Sequence, residues 1–246
     1  MSQSTPTAAG APTVVLVHGA FADGSSWAGV VARLQAAGVT VQAPANPLRG
    51  LAADSAYLAS LLTQIPGPVL LAGHSYGGAV IGNAAATAAN VVGLVYVAAF
   101  APAVGEVLGQ VAATSKDSLL GPAQLELKYP TGQGTATASE FLVDPAKFHA
   151  VFAADLPADE AAVLAATQRP VAAAAFADPA TGAAWQTRPS WAVVATADKA
   201  AGTDVVRAQA ERAKAKITEV PGSHLVMVSQ PQAVTDVIQS ALTSVG

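Results

Sequence analysis

Val69-Leu70-Leu71-Ala72-Gly73-His74-Ser75-Tyr76-Gly77-Gly78 is the stretch on which the fold of this chain turns. Its first four residues form a short, wholly apolar block, the pattern of a parallel strand buried on both faces. The block runs straight into Gly73-x-Ser75-x-Gly77, and an Ala-rich, helix-forming stretch follows. A serine bracketed in this way sits on a sharp strand-to-helix turn with its hydroxyl held clear of the backbone. Such a turn brings main chain against the residues two before and two after the serine, where any side chain would clash. In a chain with 21 glycines the spacing alone is a weak signal. The strand before it and the helix after it give it weight.

Working outward, Val14-Val15-Leu16-Val17 is a second buried block, ended by His18-Gly19. Trp27, Val30, Val31 and Leu34 then fall on one helical stripe that Gly38 terminates. A strand is predicted near Val39 to Ala43, a loop from Pro44 to Gly50, and a helix carrying Tyr57, Leu58, Leu61 and Leu62 that Pro66-Gly67-Pro68 closes. Val91 to Val97, Ser190 to Thr196 and Lys216 to Val220 supply further strands, with helices near Thr203 to Ala213 and around Val234, Val237 and Ile238. Strands alternating with helices imply right-handed βαβ units, hence an α/β fold with a mostly parallel, doubly wound sheet. Residues 13–101 and 189–246 form that core, and residues 1–12 read as a frayed tail. The interval 102–188 breaks the alternation. It holds loop-like pieces such as Tyr129-Pro130-Thr131-Gly132 and helical patches around Pro145 to Ala154 and Ala158 to Thr167. A segment this long, inserted after the fourth strand, is read as a functional cap.

The 246 residues suit one such domain. With 52% hydrophobic and 11% charged residues, much of the chain must be internal. A net charge of −4 without any Lys/Arg run offers nothing to nucleic acid or an anionic membrane, so the expected partner is a small molecule. The absence of cysteine removes disulfides, thiol nucleophiles and Cys-ligated metals together. Met1 to Pro12 lacks the basic and apolar regions of a secretory signal, and the uncharged run from Ser55 to Gly105 is broken by Pro66, Gly67, His74 and Asn83. The expected location is therefore cytoplasmic, the expected assembly a monomer or homodimer.

A serine hydroxyl needs a base within hydrogen-bond reach, and the chain offers four histidines. His18 and His74 flank tight turns and read as structural, and His149 lies in the insertion. His224, in Pro221-Gly222-Ser223-His224-Leu225, follows the last strand at the carboxyl edge where doubly wound sheets place their sites. The base in turn needs a carboxylate at another strand end. Asp198, two residues beyond Thr196, fits better than its rival Asp204, which opens a helix where an acid is ordinary. Two backbone amides must also meet the oxyanion of an attacked carbonyl. Tyr76 supplies one, and either Ala20 or Phe21, in the turn after the first strand, the other. Phe21, Phe100, Phe148, Phe152 and Leu225 are candidate walls of an apolar substrate pocket.

Taken together, Val14-to-Trp27 (VVLVHGAFADGSSW), Gly73-to-Gly78 (GHSYGG), Ser190-to-Asp198 and the PGSH of residues 221–224 resemble the small α/β-hydrolases related to plant methyl-ester esterases, hydroxynitrile lyases and bacterial aryl or pyrethroid esterases. The resemblance covers roughly residues 12–101 and 189–246. It implies the α/β-hydrolase fold with a helical cap, a Ser75, Asp198, His224 triad, an oxyanion hole from Ala20 and Tyr76, and no metal or cofactor. The implied activity is hydrolysis of a neutral, mainly apolar carboxylic ester. Leu225 stands where hydroxynitrile lyases of this group carry a lysine, which weighs against cyanohydrin chemistry. Two other readings use the same framework: a lyase, C–C-bond hydrolase or perhydrolase on the same triad, and a ligand-binding protein without catalysis.

Overall fold

The computed structural model describes residues 10–246, so the tail expected over residues 1–12 falls almost wholly outside the described residues. In chain order the core opens with β1 (Thr13–Val17), α1 (Ala28–Ala36), β2 (Val41–Gln42), α2 (Leu51–Leu62), β3 (Val69–His74), α3 (Tyr76–Ala84) and β4 (Val91–Val97). An insertion follows, containing α4 (Leu108–Ala112), β5 (Gln124–Pro130), β6 (Thr137–Val143), α5 (Pro145–Phe152), α6 (Ala158–Thr167), β7 (Val171–Ala172) and α7 (Ala174–Ala177). The core then closes with β8 (Ser190–Ala195), α8 (Thr203–Arg212), β9 (Lys216–Val220), α9 (Val226–Ser229) and α10 (Pro231–Val245).

The six core strands form one parallel sheet in the order β2-β1-β3-β4-β8-β9. Every residue of β1, β3 and β8 is buried, which is why these strands read as unbroken apolar runs. Edge strands follow other rules. The expected strand at Val39–Ala43 shrinks to Val41–Gln42, and β9 alternates polar residues outward. Helix α10 turns Val234, Val237, Ile238 and Ala241 inward and packs on α1, β4 and β8, while α2 packs on α3. Fully burying a Val or Ile side chain contributes roughly 1.5–3 kcal/mol.

The chain runs from β1 outward to β2 and then crosses back to β3 on the other side of β1, so the sheet has a switch point between β1 and β3. Parallel register aligns Val17 with Gly73, His74 with Val97, Val97 with Val193, and Ala195 with Val220. The carboxyl ends of five strands thus share one rim, and a switch point on such a rim is where these sheets bind ligands.

The insertion is helical only in part. Helices α5 and α6 match the helical patches read from the sequence, but β5, β6 and β7 form a three-stranded antiparallel sheet that the reading of a helical cap did not include. The missed signal is Gln124–Pro130, where Leu125, Leu127 and Tyr129 alternate with Glu126 and Lys128 at period two. The Tyr129-to-Gly132 piece, read as loop, is the end of β5 and the start of its hairpin turn. Polar contacts fasten the insertion to the core. Arg49 pairs with Glu140 at 2.6 Å and lies over the Tyr129 ring, and Asp204 accepts from Ser115 Oγ at 2.6 Å and from the Lys116 amide at 2.7 Å. No helix among the described residues is long and apolar enough to cross a membrane.

Candidate active site

Ser75 sits between β3 and α3 with φ +53° and ψ −123°, a conformation that a side chain adopts only under constraint. Its amide donates to the Val97 carbonyl at 3.2 Å, and its own carbonyl accepts from the amides of Gly78 (3.0 Å) and Phe100 (3.2 Å). The flanking glycines are sterically required. A Cβ on Gly73 would lie 2.6 Å from the Gly77 carbonyl oxygen, and one on Gly77 would lie 2.5 Å from that of Val17. Phe21 (φ +61°) and Ala98 (φ +44°) are likewise held in the left-handed region just beyond β1 and β4. Constrained backbone is thus gathered at the rim where the strand ends meet.

The four histidines separate by their partners. His18 Nε2 accepts from the Asn46 amide at 2.9 Å, which leaves Nδ1–H to donate to the Gly19 carbonyl at 2.9 Å. His74 donates from Nε2 to the His224 carbonyl at 3.0 Å. His149 donates to the Leu156 carbonyl within the insertion at 3.0 Å. Among the described residues only His224 meets a carboxylate: Nδ1 lies 2.8 Å from Asp198 Oδ2, with both side chains buried. The second oxygen of Asp198 accepts from the amides of Ala200 (2.9 Å) and Ala201 (3.0 Å), fixing the carboxylate in the loop after β8. With Nδ1–H committed to Asp198, the lone pair of His224 is on Nε2. Asp204, the rival acid, touches no histidine and binds the insertion instead.

Burial pushes the His74 imidazole well below its ordinary value, and the neighbouring His224 adds to the effect. Burial likewise lowers His18. Both stay neutral beside the site. The His224 ring lies between His74, at a centroid distance of 4.6 Å, and Phe152, edge-on at 4.7 Å. The base loop is also tied to the insertion, through the Leu225 amide to the Phe152 carbonyl (3.2 Å) and Ser223 Oγ to Asp155.

Ser75 and Ala20 line a cavity of about 350 Å³, within the range of small-molecule sites. Phe21, Phe100, Phe141, Phe152 and Phe176 line it. Phe148 and Leu225 do not. They are buried beside a void of about 20 Å³, Phe148 under Phe152 at 5.1 Å, so these two are corrected to packing residues. For Phe148 the physical reason is its place along α5. Phe148 and Phe152 stand one turn apart on α5, and only the later one reaches the rim. Among the described residues no charged side chain lines the cavity. Among the described residues, no hydrogen bond joins Ser75 Oγ to the His224 ring, and none takes up the amides of Ala20, Phe21 or Tyr76. Tyr76 opens α3, where first-turn amides lack helical partners.

One buried acid beneath the turn was missed. Asp54 is fully buried and accepts from Tyr76 Oη at 2.7 Å and from the Arg49 amide at 3.1 Å, and burial pushes its carboxyl up. The signal was present in the sequence. Asp54 falls in the stripe Leu51, Ser55, Leu58 and Leu62 that α2 buries, a position where an unpaired acid has no reason to be.

A strained serine at the switch point, a histidine–carboxylate pair on the same rim and a sheet of this order define an α/β-hydrolase framework. The chain belongs to the alpha/beta hydrolase family, whose sequence pattern it matches over residues 14–237. Among solved structures it is similar to tomato methylketone synthase I in complex with 2-tridecanone, with TM-score 0.79 and 20% identity over 96% of this chain and 99% of that one. Polyneuridine aldehyde esterase gives TM-score 0.79 and 20% identity over 94% and 98%. A pyrethroid hydrolase from Sphingobium faniae JZ-2 gives 0.75 and 21% over 95% and 98%. At these identities the likeness is one of fold, and these neighbours belong to the group expected from the sequence motifs. No curated protein sequence matches the chain.

Proposed function

We propose that this protein is a serine hydrolase that cleaves carboxylic esters of neutral, mainly apolar small molecules through an acyl-enzyme on Ser75. The observation that carries the reading is the buried His224–Asp198 pair on the rim where Ser75 is held strained at an uncharged, aromatic cavity. In the proposed cycle Ser75 Oγ and His224 Nε2 come into contact when substrate binds. His224 takes the hydroxyl proton as Oγ attacks the ester carbonyl, and Asp198 stabilises the imidazolium that forms. The amides of Ala20 and Tyr76 receive the oxyanion, and His224 returns the proton to the departing alcohol. Water, deprotonated by the same nitrogen, then releases the acid and restores Ser75. Among the described residues no cation lines the cavity to neutralise a carboxylate or phosphate on the substrate, which supports a neutral ester.

Stopped-flow hydrolysis of a short-chain p-nitrophenyl ester tests the proposal. A nitrophenol burst stoichiometric with enzyme, absent in Ser75→Ala, is expected. Turnover undiminished in Ser75→Ala would overturn it. Cleavage of a carbonyl adduct with no ester turnover would move the assignment to a lyase.

A further inference from the structure

The outer edge of β5 carries a pattern that the catalytic reading does not use. Among the described residues β5 has a strand neighbour on one side only, β6. Just beyond its two ends, the Asp144 amide donates to the Ala123 carbonyl at 2.7 Å and the Thr131 amide to the Ala136 carbonyl at 3.1 Å, in the same register as the strand pairs. Antiparallel pairing alternates along a strand, so the main-chain groups of Leu125, Leu127 and Tyr129 point to β6. Those of Gln124, Glu126 and Lys128 therefore point away from it, into the open.

An exposed edge of this kind is a template for another strand, and proteins usually blunt it with charge. Here the charges alternate in sign, and a row of apolar side chains accompanies them on the other face: Leu125 and Leu127 are 44% and 42% exposed. We propose that β5 pairs with β5 of a second copy of this chain, antiparallel about a two-fold axis at Leu127, joining the two three-stranded sheets into one. Charge selects the register. Open-facing residues must meet open-facing residues, and only an axis at residue 126, 127 or 128 keeps both Glu126 and Lys128 opposite residues of the partner's β5. An axis at 126 opposes Glu126 to itself, and one at 128 opposes Lys128 to itself. An axis at 127 sets Glu126 of each copy against Lys128 of the other, where both main-chain bonds are exchanged. The Gln124 amide then reaches the Pro130 carbonyl, an acceptor that needs no N–H from the proline. On the apolar face Leu127 meets Leu127, and Leu125 meets Tyr129. The contact is isologous and closed, so it stops at two copies.

Sedimentation equilibrium measures the result directly. The wild-type chain is expected at twice its 24.3 kDa mass at micromolar concentration. Glu126→Lys and Lys128→Glu each place like charges opposite one another and should raise the dimer dissociation constant about tenfold or more. The double swap should restore it. Because the chain has no cysteine, Leu127→Cys gives a second readout independent of affinity. Facing residues of a non-hydrogen-bonded pair have Cα atoms roughly 4.5 Å apart, which a disulfide spans. Mild oxidation should convert Leu127→Cys to a covalent dimer while Val163→Cys, on an exposed face of α6, stays single under the same conditions. A wild-type monomer with no Leu127→Cys cross-link overturns the proposal, and adhesion of that monomer to neutral lipid vesicles would make a lipid surface the occupant of the leucine row. A dimer that persists equally in both single charge variants also overturns it, by placing the interface elsewhere.

Discussion

His74 holds the backbone of His224: its Nε2 donates to the His224 carbonyl at 3.0 Å, and the two rings lie 4.6 Å apart in a buried pair. The residue beside the proposed nucleophile thus fixes the loop that carries the proposed base, across the width of β3, β4, β8 and β9. His74→Ala should orphan that carbonyl and loosen the loop, lowering stability by about 1–3 kcal/mol and kcat more than KM. His74→Gln, whose amide can donate from a similar position, should recover part of both. Urea unfolding and steady-state kinetics on the two variants check this, and equal behaviour of Ala and Gln would contradict it.

Acid should weaken the fold before it protonates the carboxylates. Burial lowers the imidazoles of His74 and His18 in the folded chain, so unfolded chain takes up more protons than folded as pH falls below about 6.5. Stability therefore rises with pH through that window and is fully present above it, with a slope of up to about 1.4 kcal/mol per pH unit for each histidine. Asp54, its carboxyl pushed up by burial, works in the opposite sense. Urea midpoints should fall between pH 7 and pH 5, and less steeply in His74→Gln. Identical midpoints across that range would refute the neutral assignment.

The two aspartates in the β8–α8 region should differ sharply. Asp198→Asn removes the acceptor that fixes the His224 tautomer and should lower kcat by about 10⁴, leaving the fold intact. Asp204→Asn disturbs the bonds that its carboxylate accepts from Ser115, Lys116 and Val205. It should leave kcat within a few-fold and lower Tm by a few degrees as the insertion loosens. Reversal of the two phenotypes would reassign the acid.

Tyr76→Phe should expose the role of the acid under the turn. Without the phenol, buried Asp54 loses a donor at 2.7 Å, a loss of about 1–3 kcal/mol in stability. Asp54→Asn in the same background should return part of it, since a neutral amide is less costly to bury. A thermal-melt double-mutant cycle measures the coupling, and additivity would deny it.

The fold was legible because its strands are buried on both faces and so spell themselves as apolar blocks, with Gly73, Ser75 and Gly77 forced by the geometry of the turn. His224 and Asp198 were legible for a related reason, since both lie just beyond strand ends that register brings to one rim. The insertion was harder. Strands β5 and β6 are half exposed, their period-two signal is diluted by solvent-facing residues, and Pro130 reads as a breaker. Pocket walls were harder again. Nothing in the spacing of Phe148 and Phe152 says which reaches the cavity, and Phe141 and Phe176 come to it only through tertiary packing of the insertion over the rim.

The most direct test of the central assignment is to locate the acyl group. After rapid quench of the wild-type enzyme with a p-nitrophenyl ester, intact-mass spectrometry should find one acyl adduct per chain, and peptide mapping should place it on Ser75, with none on Ser75→Ala. Ester turnover proceeding with the adduct on another residue, or undiminished in Ser75→Ala, would contradict the account.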